Sequence, residues 1–218
     1  AASYDESLRY CEDFVSHWQG HELVMAVPAP HSIYMTTPEL LQATTEIARA
    51  YQVPQLMHVA ETADEAEALV ASSDLRPIRW LQEHGLLENP LIAAHCVHVN
   101  AEEIQLMARH GVGVAHNPTS NLKLASGIAP VAEMLRRGVC VGVGTDGCAS
   151  NNDLDMFEEI RLAALLPKVV TGSPVAVPAQ DALAMATIGG ARAIGLDHLI
   201  GSLEPGKRAD VIVVRGDA

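Results

Sequence analysis

Positive charge is scarce in this sequence: 14 Lys and Arg stand against 27 Asp and Glu, for a formal net charge of -13. A nucleic-acid backbone or an anionic membrane surface demands clustered Lys and Arg, so no nucleic-acid and no membrane partner is expected, and a small-molecule substrate suits the balance better. Aromatic residues make up only 4% of a chain that is 49% hydrophobic and 19% charged, a composition rich in Ala, Val and Leu that reads as folded rather than disordered. The four cysteines, Cys11, Cys96, Cys140 and Cys148, show no C-x-x-C spacing and suggest no disulfide framework. Reduced thiols in a cytoplasmic protein are the expectation. No apolar run approaches the roughly 18 to 20 residues needed to cross a bilayer, and no charged segment followed by an apolar one opens the chain. A doubly wound nucleotide-binding domain would need a G-x-G-x-x-G after a strand, and none stands there.

What is there is organised around Gln55 to Thr62, QLMHVAET. Val53 to Met57 reads as a parallel strand buried on both faces, with Pro54 tolerated at its entry. His58 and Glu61 arrive at its C-terminal end. A core histidine followed by a helix N-terminus that favours Glu61 is the bland alternative at this point.

The rest of the chain repeats the arrangement. Tyr4 to Trp18 has helical spacing and stops at Gly20; Leu23 to Val27 reads as a strand leading to His31; Thr37 caps a helix that begins at Pro38. Ala63 to Ser72 and Arg76 to His84 read as helical pieces. Leu91 to Ala94 is a strand ending at His95, and Asn100 caps a helix with Glu103 three residues later and Gly111 at its end. Val112 to Ala115 ends at His116 and Asn117, before PTSNLKLASG. After a helix over Pro130 to Arg137, Val139 to Val143 ends with Asp146 at its tip. Asp153 to Leu166 and Pro178 to Leu196 read as helices, and Ala209 to Val214 as a strand after a Gly and Pro turn region.

Strand and helix thus alternate five times, each strand ending in a polar residue. Core packing would scatter such residues along both ends. Alternation implies parallel strands with right-handed crossovers, which put all five tips on one rim, as in a (β/α)₈ barrel. Five units fall short of the eight in about 250 residues that such a barrel takes. The expected fold class is therefore α/β: a partial (β/α)₈ barrel over residues 1–196, about strands four to eight, followed over residues 197–218 by the beginning of a small β-sandwich domain. The chain starts without Met and stops just after an apolar strand, so both ends read as cut and about three strands are expected upstream of Ala1.

His58 and Asp146 offer an imidazole nitrogen and a carboxylate, ordinary ligands for zinc, with iron as the alternative. A catalytic zinc usually takes at least three protein ligands, so the remaining ones are expected from outside this segment. The ion would lower the pKa of its water and supply a hydroxide nucleophile. Glu61 could then shuttle the proton, His95 could stabilise developing charge, and His31 is placed to bind substrate. His116 with Asn117 reads equally as pocket lining or as turn closure. Ser150, Asn151 and Asn152 read as steadying the loop behind Asp146, and Cys96 and Cys148 as small packing residues.

HVAET, AAHCVHVNAEEI, AHNPTSNLKLASGIAPV, GVGTDGCASNNDLDMFEEIRLAAL and GSLEPGKRADVIVV, in this order, resemble the amidohydrolase superfamily. The likeness is to the branch holding 5-methylthioadenosine/S-adenosylhomocysteine deaminases and triazine chlorohydrolases. The resemblance implies a (β/α)₈ barrel, one zinc or iron ion, and hydrolytic removal of an amino or halide group from a purine-like or triazine-like ring. By position it makes His58 the metal ligand of the fifth strand and Asp146 that of the eighth, Glu61 the proton shuttle, His95 the sixth-strand histidine and His31 a substrate contact. The family's first-strand His-x-His pair is not in this sequence, so the 218 residues alone are expected to be inactive. An adenosine-like nucleoside is the expected substrate, with triazine chemistry as the alternative. A non-catalytic piece needing a partner to complete its barrel is the reading from another class, and an unpaired sheet edge leaves open a homo-oligomer.

Overall fold

The computed structural model describes residues 3–216. The expected domain spans begin at Ala1 and end at Ala218, and residues 1–2 and 217–218 lie outside the described residues. Four strands, β1 (Gln55–Val59), β2 (Leu91–His95), β3 (Gly113–His116) and β4 (Cys140–Val143), form one parallel sheet in the order β1-β2-β3-β4. Sequence order equals spatial order. Each strand therefore hands over to its neighbour through helical crossovers, and every C-terminal end reaches the same edge.

The helices begin and end where local chemistry says they should. Ser3 caps α1 (Tyr4–Trp18), and Thr37 caps α2 (Pro38–Ala50) with Pro38 in the first turn. Thr62 caps α3 (Ala63–Ser73), and α4 spans Pro77–Glu83. The capping box of Asn100 and Glu103 forms in full at α5 (Ala101–His110), which Gly111 closes in the left-handed region. Next come α6 (Pro118–Lys123), α7 (Val131–Arg136), α8 (Cys148–Asn151) and α9 (Met156–Thr171). α10 (Ala179–Met185) and α11 (Ile188–Ala193) complete the set.

Residues paired across parallel strands share a face. Met57, Ala93, Val114 and Val141 form one such row and join Leu41, Ile78, Leu81, Ile104, Met107, Met134, Ala163 and Met185 in the main core, the layer between sheet and outer helices. The opposite face carries the rows Leu56, Ile92, Gly113, Cys140 and His58, Ala94, Ala115, Gly142. That face is the inner wall of the partial barrel. α11 seats on its β3–β4 end through backbone contact: a Cβ at Gly113 would lie 1.8 Å from the Ala193 carbonyl oxygen, and one at Gly142 2.8 Å from Gly190 Cα.

Four expectations are corrected. Leu23 to Val27 forms no regular strand; the chain meets β1 further on, where the carbonyls of Pro28 and His31 accept from the Leu56 and His58 amides. Pro28 and Pro30 have no N–H to donate, so a continuous ladder cannot form. Ala209 to Val214 is not a strand either: Val211, Ile212, Val213 and Val214 are exposed, and no described strand pairs with them. The helix expected to end at Leu166 runs through Pro167 to Thr171, where Gly172 stops it. The single helix expected over Pro178 to Leu196 is two, because Thr187, with ψ -106°, breaks it.

Buried polar groups are mostly answered. The Gln55 side chain accepts from the Thr45 hydroxyl at 2.9 Å and donates to Thr44 at 2.7 Å, while Glu103 takes Arg76 Nε at 2.7 Å and the Ile78 amide at 3.0 Å. His116 is the contrast. Its ring is 1% exposed, neither nitrogen has a hydrogen-bond partner, and burial, with the neighbouring His95 ring acting the same way, pushes its pKa down to about 4.

Gly113→Ala is expected to destabilise the full-length protein by about 3 kcal/mol, the upper end of what overpacking costs, because the obstacle is backbone. A lower urea midpoint for Gly113→Ala than for the wild type checks this. His116 gives a pH signature. Its folded pKa lies below the ordinary value near 6.5, so between about pH 6.5 and 4 the unfolded chain binds the extra proton and stability drops as pH falls, by up to about 1.4 kcal/mol per unit. His116→Phe should remove that component from denaturant unfolding curves of the metal-free protein; an unchanged slope would contradict the assignment.

Candidate active site

The site is a row of strand ends. His58 lies on the inner face of β1, and its Nδ1 is 2.7 Å from the His31 carbonyl oxygen. A carbonyl only accepts, so Nδ1 carries the hydrogen and Nε2 keeps its lone pair, the state in which an imidazole can ligate a metal. The His31 ring, exposed at the mouth, sits 4.7 Å from the His58 ring between centroids, with its Nδ1 3.0 Å from the Ser32 hydroxyl.

His95 ends β2. It pairs with Val59, so strand alternation alone would turn it to the helix side, away from His58. Instead the backbone is left-handed at His95 (φ 71°) and Cys96 (φ 47°), and the His95 ring stacks on His58 with centroids 5.4 Å apart at 20°. Its Nδ1 lies 2.8 Å from Asn121 Oδ1 and its Nε2 3.8 Å from Glu61 Oε2. Both His95 and Asn121 are 1% exposed.

Glu61 follows a third left-handed residue, Ala60 (φ 51°). The turn is held by Glu65, whose two carboxylate oxygens accept the Ala60 amide at 3.1 Å and the Glu61 amide at 2.8 Å. Burial raises the Glu65 pKa despite those bonds. The Glu61 side chain also receives the Ser126 hydroxyl at 3.4 Å.

Asp146, after β4, is left-handed too (φ 60°). Its Oδ2 accepts from the Ser120 and Ser150 hydroxyls, each at 2.7 Å, which leaves Oδ1 for another partner. Burial works to raise its pKa, but those two bonds, the Gly147 amide and the nearby His95 bring it below the ordinary value. The loop behind it is braced by Asn151, which donates to the Thr145 carbonyl at 2.8 Å and to Glu159 Oε1 at 2.5 Å, while Glu159 Oε2 takes the Thr119 amide at 3.0 Å.

The structure thus links His31 to His58, His58 to His95 and His95 to Glu61 in a chain of neighbouring side chains. Asp146 stands three strands from β1 and joins them through α6, where adjacent residues Ser120 and Asn121 hold Asp146 and His95 respectively. His58 Nε2 and the free oxygen of Asp146 suit a divalent metal. Among the described residues no cluster of three or more His, Cys, Asp or Glu donors forms. Cys96 is buried and its thiol pKa is raised by that burial, as a packing residue should be; Cys148 is exposed instead. Sequence reasoning missed Ser120, Asn121, Glu65 and Glu159. The signal for the first two was Pro118 after Asn117, a helix start read as loop.

Residues 2–217 match the Amidohydrolase family. The chain is 50% identical over 207 residues to the 5-methylthioadenosine/S-adenosylhomocysteine deaminase of Desulforudis audaxviator (strain MP104C), covering 94% of this chain and 48% of that protein. The enzyme of the same name from Moorella thermoacetica is 50% identical over 198 residues, 91% of this chain and 46% of that protein. Among solved structures, an adenosine deaminase from Xanthomonas campestris with bound zinc superposes with a TM-score of 0.93 at 42% identity, over 96% of this chain and 48% of that one. An atrazine chlorohydrolase from Arthrobacter aurescens TC1 complexed with zinc does so with 0.88 at 30%, over 95% and 46%. The chain spans about half the length of the curated relatives it matches. By the match across nearly its whole length and by its parallel sheet of inward-facing strand tips, this chain belongs to the amidohydrolase family and forms part of a (β/α)₈ barrel.

Proposed function

We propose that the whole protein is a metal-dependent aminohydrolase that deaminates an adenosine-like nucleoside of the methylthioadenosine or S-adenosylhomocysteine kind. The observation that carries this is the approach of the Glu61 carboxylate to within 3.8 Å of His95 while His95 stacks on His58. It brings one carboxylate and two imidazoles close together, the groups that a proton carrier and a ligand nitrogen would need. The half-identical relatives named for that deamination favour the nucleoside over a triazine.

A divalent ion, zinc by the nitrogen and oxygen donors, would be held here by His58 and Asp146 and would supply a water acidic enough to be a nucleophile near neutral pH. The chain's own residues do the rest. Glu61 takes the proton from the attacking water and delivers it to the ring nitrogen beside the amino-bearing carbon. The water oxygen bonds to that carbon, and the C–N bond then breaks as the proton left on that oxygen is carried to the amino group, which departs as ammonia and leaves a ring carbonyl. His95 holds the attacking water in place through its Nε2, and His31, exposed at the mouth, contacts the substrate. Residues 197–218 begin an accessory β domain in this reading, with their apolar segment Val211 to Val214 paired in the whole protein. Cytoplasmic location and a homo-oligomer belong to the same proposal. Among the described residues no helix is long and apolar enough to cross a membrane.

Full-length protein should release ammonia from methylthioadenosine and no chloride from a chlorotriazine. Chloride release with no ammonia from any purine nucleoside would replace this reading by the chlorohydrolase one. Glu61→Gln is expected to lower kcat by about 10²- to 10⁴-fold, the usual contribution of a positioned proton carrier. The 218-residue chain alone should bind zinc weakly in equilibrium dialysis and show no deamination, since two donors do not complete a tetrahedral site. Tight stoichiometric zinc would mean that the ligand set is complete within these residues.

A further inference from the structure

The short helix α6 does something that its sequence does not advertise: it places an amide against the buried side of His95. Asn121 Oδ1 lies 2.8 Å from His95 Nδ1, and both side chains are 1% exposed, so water does not compete for the contact. Asn121 is pinned through its backbone, while its side-chain Nδ2 is buried with no hydrogen-bond partner, so the His95 contact is the one that orients the amide. Its backbone amide donates to the Asn117 carbonyl at 3.0 Å, its carbonyl accepts the Ser126 amide at 2.8 Å, and Ser120 beside it is tied to Asp146 at 2.7 Å. An amide oxygen can only accept, so it fixes the hydrogen on Nδ1 and leaves the lone pair on Nε2.

We propose that Asn121 is a positioning residue for His95, holding it as the Nδ1–H tautomer with the Nε2 lone pair presented to the space beside Glu61. The consequence for the reaction, which rests on the deaminase reading above, is that His95 meets the attacking water as an acceptor at Nε2. The opposite tautomer would present an N–H there and compete for the Glu61 carboxylate, 3.8 Å away. His58 is fixed in the same sense by the His31 carbonyl, so the two stacked rings would both turn a lone pair inward. Backbone sets one and a side chain sets the other. Only the Asn121 contact is therefore open to a point substitution.

The test is the tautomer itself, read from imidazole nitrogen-15 shifts in metal-free full-length protein labelled at histidine, with the His95 signals assigned by their loss in His95→Gln. The expected result is the Nδ1–H form in the wild type and a mixture of tautomers in Asn121→Leu. In the metal-loaded protein, Asn121→Leu should lower kcat for methylthioadenosine by about 10- to 100-fold, as loss of such supporting partners does. KM should change less than about 3-fold, and Asn121→Asp, which keeps an acceptor oxygen, should recover most of kcat. A wild-type His95 carrying its hydrogen on Nε2, or Asn121→Leu with tautomer and kcat unchanged, would overturn the proposal. Should Asn121→Leu fail to fold, the wild-type spectrum and the Asn121→Asp rate decide it. No turnover of any nucleoside, together with an Nδ1–H tautomer that Asn121→Leu abolishes, would sink the deaminase reading while leaving the role of Asn121 intact.

Discussion

Parallel hydrogen-bonded pairing of four consecutive strands is the constraint on which the rest depends. It carries His58, Glu61, His95 and Asp146, spread over nearly ninety positions of sequence, to one edge of one sheet. Pairing alone would still leave them misdirected, since alternation assigns His58 and His95 to opposite faces. The correction is made in the backbone. Ala60, His95, Cys96 and Asp146 all sit in the left-handed region, at three of the four strand ends. Non-glycine residues adopt that conformation at a cost of about 1–3 kcal/mol each, and it persists only where surrounding contacts enforce it.

Those enforcing contacts are visible. Glu65 grips both amides of the turn at Ala60 and Glu61, two serines hold one oxygen of Asp146, and Glu159 ties α6 to the loop carrying Asp146 through Asn151. Glu65, Ser120 and Glu159 are buried, and each lies beneath or behind the mouth. The reactive groups at the rim are thus few and partly solvated, resting on polar partners that water barely reaches. Burial strengthens such bonds and makes their loss costly.

Much of this was legible in the residues. The caps at Thr37 and at Asn100 with Glu103, the parallel alternation, and four of the five strands expected to lead to a polar residue are local signals that the structure realises. What was not legible depends on distant neighbours. Leu23 to Val27 has strand composition, yet two prolines just beyond it deny donors to the ladder with β1. PTSNLKLASG has turn composition, yet Glu159, forty residues on, accepts the Thr119 amide and helps fix a helix there. Gly189 and Gly190 stand inside a helical span, where glycine ordinarily only weakens a helix. They are contact points instead, because their value lies in the side chain they lack where Gly142 and the Val141 carbonyl come close.

That contact also settles how a binding chamber over this sheet can vary. Where α11 crosses β3 and β4, main chain rests on main chain, and the side chain beside Gly142 there is only the Ala193 methyl. The floor beneath the strand tips is consequently of fixed depth. A side chain added to Gly113 or Gly142 would meet backbone, so a chamber above this seam can change its shape through its walls and entrance and not through its base.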